Sequence, residues 1–200
     1  MPDLTETRLS SETVYDGALL HVRRDEVRLP DGGTSGREWI AHPGATAVVP
    51  VDDEGRVVLV RQFRYAPGRE FWEVPAGKFD EGDDDAVEVG RRELAEEAGL
   101  AAARWTRLGA TYPCIGYSDE RIELYLARGL SDAPQESDDD EFVEPFRVPL
   151  GEAVAMARRG EIEDAKTCVA LLLAAAAIAA EPEDGRPGPE AGAPASSRRL

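Results

Sequence analysis

Apolar and polar residues alternate over 18–29 (ALLHVRRDEVRL), a period of two that predicts a strand. The turn Pro30-Asp31-Gly32-Gly33 follows, and 37–41 returns as the hairpin partner. Segments 45–51 and 56–65 predict two more strands around the turn Asp52-Asp53-Glu54-Gly55. Upstream, 13–15 reads as a short strand and 1–10 as polar and loose. Residues 70–74 are extended and stop at Pro75, and 76–83 read as a glycine- and acid-rich loop. The pattern then turns helical. Asp84 and Asp85 offer N-caps and Gly99 a stop for a helix ending near Ala98. Strands over 104–111 and 121–127, an acidic loop over 130–140 and a strand over 141–148 come next. Helices over 150–159 and 164–180 are separated by Gly160. This order predicts an α/β chain of the α+β type, a single mixed sheet flanked by helices.

Composition narrows the function. The 200 residues carry 23 Lys and Arg against 40 Asp and Glu, a formal net charge of −17. That field argues against nucleic acid or an anionic membrane as partner. An anionic substrate needs a metal ion or a local arginine cluster to overcome it. The apolar run over 169–180 is too short to span a bilayer and reads as a buried helix. The N-terminus has no basic region ahead of an apolar stretch, so no secretory signal is expected and the expected location is cytoplasmic. Cys114 and Cys168 lack metal-ligand spacing and read as reduced thiols. With only His21 and His42 as histidines, any divalent cation has to be held by oxygen ligands.

The segment over 77–100 supplies such ligands. Glu93 and Glu97 are four apart and share a helix face, with Glu96 beside them. Three carboxylates so close repel one another unless a cation sits among them, and hard oxygens suit Mg²⁺ or Mn²⁺. A solvated acidic face paired with Arg91 and Arg92 accounts for the same helix pattern. Upstream, Glu73-Val74-Pro75-Ala76-Gly77 ends a strand at a kink, where glycine permits close backbone approach and a carbonyl can face the same metal.

With that context the segment resembles the Nudix hydrolase family. Arg92-Glu93-Leu94-Ala95-Glu96-Glu97-Ala98-Gly99-Leu100 matches the second half of the Nudix box at every fixed position. The first half departs: one extra residue lies between Gly77 and Arg92, and the upstream glutamate is an aspartate, Asp83 or Asp84. Segments such as HPGATAVVPV, VRQFRY, EVPAGK, DEFVEPFRVPL and GEIEDAKTCVALLL resemble the ADP-ribose pyrophosphatase branch.

The resemblance implies a Nudix fold, a mixed sheet sandwiched by helices with an N-terminal antiparallel sheet. It implies N-terminal strands over 1–43 that exchange between subunits of a homodimer, a hydrolase domain over 44–180 and a disordered tail over 181–200. The implied reaction is Mg²⁺-dependent hydrolysis of a nucleoside diphosphate sugar, ADP-ribose first, to AMP and ribose 5-phosphate. Another nucleoside diphosphate derivative (a GDP-sugar or a dinucleotide) and a non-hydrolytic ligand sensor are the rivals. The implied metal ligands are Glu93, Glu97, Glu96 and the Ala76 carbonyl. Arg92 orients the box by pairing with the upstream acid. Arg64 meets phosphate, and Glu73, Gln62 and Trp39 are further substrate contacts, Trp39 by stacking on adenine. Solvated or core strand residues are the plainer reading of these last positions. Glu141 is the implied general base, with Asp139 as the alternative.

Overall fold

The computed structural model describes residues 2–80, 82, 85–134 and 142–181. A three-stranded antiparallel sheet opens the chain: β1 (Thr7–Asp16), β2 (His21–Arg28) and β3 (Thr34–Ala41), in that order. The second sheet holds β4 (Ala45–Val51), β5 (Arg56–Arg64), β6 (Arg69–Glu73), β7 (Ala76–Lys78), β8 (Leu100–Thr111), β9 (Ile122–Asp132) and β10 (Val143–Pro149). Its path runs β10-β5-β4-β9-β8, with β6 on β5 and β7 on β4. Only the β4–β9 pairing is parallel. The helices are α1 (Ala86–Ala98), α2 (Leu150–Arg159) and α3 (Ala165–Ala179). This is the expected mixed sheet between helices, with a small antiparallel sheet at the N-terminus.

Strand β4 explains the layering. All seven of its residues are buried, as expected of a strand covered on both faces. Ala45, Ala47, Val49 and Val51 join the core cluster that includes Ala153 of α2 and Leu171 of α3. Val48, one step out of phase, joins a second cluster with Leu94 of α1 and Leu100. The buried Thr46 hydroxyl donates to the Ala86 carbonyl at 2.9 Å, so the polar side chain on the α1 face is satisfied. Helix α1 is capped by Asp85, whose carboxylate accepts from the Val87 N–H, and ends at Gly99.

Three local expectations change. Residues 7–10 belong to β1, because β2 supplies the hydrogen bonds that an exposed Ser/Thr-rich strand needs. Residues 76–78 form β7 rather than loop; a three-residue strand has no readable period and exists because β4 offers an edge. The β8–β9 ladder is longer than expected, so 100–103 and 128–132 are paired strand and the acidic loop starts later. The chain from 182 onward lies outside the described residues, as does most of the expected acidic loop. No helix among the described residues is long and apolar enough to cross a membrane.

Leu94 is fully buried on α1 between the two expected metal-ligand turns. Leu94→Ala should cost about 2–5 kcal/mol through lost burial and a residual cavity. A urea titration checks this; a loss below about 1 kcal/mol would mean that α1 does not depend on this contact.

Candidate active site

Helix α1 lies against β4 and β7, and this places its carboxylates beside the backbone of 76–78. The Ala76 N–H donates to Glu97 Oε2 at 3.0 Å. A Cβ on Gly77 would overlap the Glu93 carboxyl group, so only glycine allows this approach. Both glutamates are buried, at 9% exposure for Glu93 and 3% for Glu97. Arg92 reaches the Lys78 carbonyl and Asp80 at 3.1 Å each, and Glu93 at 3.3 Å. One guanidinium thus ties the glycine-rich segment to the helix.

A second polar assembly stands across the cavity. Arg64, at the end of β5, donates from Nε and Nη2 to the two Glu73 carboxylate oxygens at 2.7 and 2.8 Å, a bidentate pair. Lys166, in the first turn of α3, donates to the same carboxylate and to Asp164 at 3.0 Å. Asp164 caps α3 through the Thr167 N–H, and the Thr167 hydroxyl accepts from the Val74 N–H at 3.0 Å. The helix start is therefore fastened to the end of β6, with Lys166 held over Glu73. Burial alone would raise the Glu73 pKa. The Arg64 hydrogen bonds and the charges of Lys166 and Arg64 outweigh it and bring the group down to about 2.

The two assemblies open into one cavity of about 640 Å³. Its walls include Arg64, Ala76, Gly77, Arg92, Glu93 and Glu96, and also Lys166, His42 and Glu120. Glu97 and Glu73 stand behind the wall and act on Ala76 and Arg64 respectively. Gln62 lies on β5, two residues from Arg64 and on the same strand face, off the cavity wall. Trp39 is not at this cavity. It sits on β3, where its indole N–H donates to Asp25 Oδ2 at 3.0 Å, and it lines a separate depression with Ile115 and Tyr117. Glu141, Asp139, Asp83 and Asp84 lie outside the described residues. Sequence reasoning did not single out Lys166 or His42 for this cavity. Its one available signal for Lys166 was Asp164, a recognisable N-cap that places the lysine in a first helical turn.

The donor set fits a hard divalent cation: Glu93, Glu96 and Glu97 offer carboxylate oxygens beside the Ala76–Gly77 backbone, and Gly77 leaves the space a side chain would fill. Among the described residues no three His, Cys, Asp or Glu side chains already stand at metal-binding geometry.

Comparison with known proteins finds relatives over most of the chain. The NUDIX domain model matches residues 41–171, and the model of the nucleoside diphosphate sugar hydrolase N-terminal domain matches residues 6–40. The chain is 38% identical over 173 residues to the ADP-ribose pyrophosphatase of Bacillus subtilis, covering 86% of this chain and 93% of that protein. It is 40% identical over 156 residues to the ADP-ribose pyrophosphatase of Mycobacterium tuberculosis, covering 77% of this chain and 75% of that one. A crystal structure of an ADP compounds hydrolase superposes with a TM-score of 0.77 at 23% identity, covering 88% of this chain and 96% of its own, which is a likeness of fold.

Two outcomes follow from the geometry. Gly77→Ala should lower kcat at least about tenfold by displacing the Glu93 carboxyl, while costing less than about 1 kcal/mol of stability because the displaced group ends a flexible side chain. Paired activity and melting measurements check it; unchanged turnover would show that Glu93 need not stay where it is. The folded-state pKa of Glu73 lies below its ordinary value of 4.5. Its stabilisation is therefore complete above about pH 4.5 and lost as the pH falls toward 2. Urea midpoints across that window should fall more steeply for the wild type than for Glu73→Gln; parallel curves would contradict the pairing.

Proposed function

Because the chain belongs to the Nudix family, we propose that it hydrolyses the diphosphate of ADP-ribose to AMP and ribose 5-phosphate. The observation that carries this reading is the meeting of two unlike polar sets in one cavity, the α1 carboxylates beside Gly77 and the cationic pair Arg64 and Lys166. The match of residues 6–40 to nucleoside diphosphate sugar hydrolases and the two ADP-ribose pyrophosphatases support the choice of substrate.

In this reading Glu93 and Glu97, with Glu96 and the Ala76 carbonyl beside them, hold the cation, Mg²⁺ by preference and Mn²⁺ as the alternative. When bound, such an ion neutralises diphosphate charge and activates the attacking water. The chain's own groups do the rest. Arg64 keeps N–H groups beyond the two given to Glu73 and turns them to a phosphate oxygen, while Glu73 and Lys166 fix its orientation. Arg92 holds the glycine-rich segment against α1. Glu141, or Asp139 in its place, takes the proton from the water. Trp39 stacks on the base from its separate depression.

The reading extends to a homodimer. Every residue of β1 is exposed, including Leu9, Val14 and Tyr15, and a second copy exchanging N-terminal strands would cover that sheet. It extends also to a cytoplasmic setting, where the two free thiols suit a reducing compartment.

Incubation with ADP-ribose and Mg²⁺ should release AMP and ribose 5-phosphate, resolved by chromatography. Glu97→Gln, which keeps an oxygen for the Ala76 N–H but loses the charge, should reduce kcat at least about a hundredfold. Absence of AMP would overturn the substrate, and full turnover by Glu97→Gln would remove that residue from the metal set.

A further inference from the structure

The Arg64 guanidinium that faces the cavity is already locked to an acid. Nε and Nη2 both donate to Glu73, at 2.7 and 2.8 Å. A guanidinium forked onto a carboxylate is formally a neutral pair, so a phosphate oxygen beside it meets a dipole rather than a cation. Glu97 and Asp164 add negative charge at longer range. The Arg64 side chain is 43% exposed and that of Glu73 only 4%, so the acid lies on the buried side of the pair, where water and salt screen it little. With these partners alone, Arg64 has little positive charge to offer a diphosphate.

Lys166 changes that balance. Its side chain is 14% exposed, and its ammonium donates to Glu73 Oε2, the oxygen that Arg64 Nη2 also uses. Its other acid, Asp164, stands at 3.0 Å but is engaged elsewhere. The same Asp164 oxygen accepts the Thr167 N–H at 3.0 Å and the Thr167 hydroxyl at 2.5 Å, at the start of α3, where the helix dipole favours a negative charge. Lys166 is therefore the group that answers the second share of the Glu73 charge. Arg64, Glu73 and Lys166 together keep one net positive charge. Its position is fixed too. Thr167, fully buried, accepts the N–H of Val74, the neighbour of Glu73, at 3.0 Å. Helix α3 cannot carry Lys166 off the carboxylate without breaking that buried bond.

We propose that Lys166 is a positioning residue that acts through Glu73: by taking up the carboxylate's charge it leaves the Arg64 guanidinium cationic toward the diphosphate and so sets substrate affinity. The proposal rests on the diphosphate reading of the cavity. It gives Lys166 no contact with substrate, and it makes the seating of α3 on β6 part of phosphate recognition.

The test is a charge cycle on the full chain: wild type, Lys166→Arg, Lys166→Met, and Lys166→Met combined with Glu73→Gln. Calorimetry gives Kd for inorganic pyrophosphate in Mg²⁺, and kinetics give kcat and KM for ADP-ribose. Lys166→Met keeps an unbranched side chain and removes the charge. It should weaken pyrophosphate binding about tenfold and raise KM as much, with kcat within about threefold of the wild type. Lys166→Arg should restore Kd to within about threefold. The double variant has lost the acid together with its compensating lysine, so its Kd should return to within about threefold of the wild type. Its kcat should still fall, because nothing at 73 holds Arg64 by a charged fork. A mere anchor for α3, or a direct phosphate ligand, predicts a double variant that binds at least about tenfold more weakly than the wild type, and that result overturns the proposal. So does undiminished binding by Lys166→Met. Should Lys166→Met melt below the assay temperature, the double variant, which buries no unpaired Glu73 charge, decides alone. Wild-type release of AMP from ADP-ribose reports separately on the proposed function. Pyrophosphate carries neither base nor sugar, so its Kd values rank the variants even where another diphosphate is the substrate, and a wild type that does not bind it overturns the charge role.

Discussion

A carboxylate taken out of water must find positive charge or hydrogen-bond donors, or burial drives it to take up a proton. This chain buries five acids among its described residues: Asp25, Glu73, Glu93, Glu97 and Glu123. Much of its architecture is the answer to that constraint. Glu73 has Arg64 and Lys166, Glu97 has the Ala76 N–H, and Glu123 has Arg107 and Arg121. Glu93 has Arg92, and Asp25 has the Trp39 indole. Apart from Arg92 with Glu93 and Arg121 with Glu123, these contacts join separate elements of the chain. The bonds made by Glu73, Glu93 and Glu97 are also bonds that shape the cavity.

The covered strand β4 makes these junctions possible. Its two faces pack α1 on one side and α2 with α3 on the other, so the carboxylate helix and the lysine-bearing helix approach the sheet from opposite faces. Pairing of Ala45–Ala47 with Ala76–Lys78 then brings Gly77 under Glu93. The cap of α3 is tied to Val74 just upstream. A shift of one residue in β7 would bring a different residue to Glu93, where any Cβ collides with its carboxyl group.

The overall charge of −17 and an anionic substrate are reconciled locally. Arg64, Arg92, Lys78 and Lys166 line the same cavity as the acids, and a divalent cation would add to them. Long-range steering does not favour a diphosphate here. Affinity has to come from contacts made inside the cavity, where lower dielectric strengthens each charged hydrogen bond. The same surroundings make neutral polar contacts selective, because an unpaired donor or acceptor at this depth is expensive.

What the sequence determined by itself was whatever has a local cause. The box helix was legible from its cap, its stop and the 3.6-residue spacing of Glu93 and Glu97; β4 was legible as a short apolar run ahead of a turn and α2 as a helix stopped at Gly160. The chemistry of hard oxygen ligands followed from having glutamates and almost no histidines. Tertiary structure decided what depends on partners far along the chain. Three residues at 76–78 become a strand only because β4 offers an edge, and β1 only because β2 lies beside it. Glu73 becomes a buried anchor for Arg64 because Lys166, 93 residues on, closes over it. Trp39 stands apart from the carboxylate cavity because Asp25 holds its indole. His42 and Glu120 become neighbours because two separate turns are braced against each other. Periodicity and caps act over a few residues, whereas burial and charge compensation act through space.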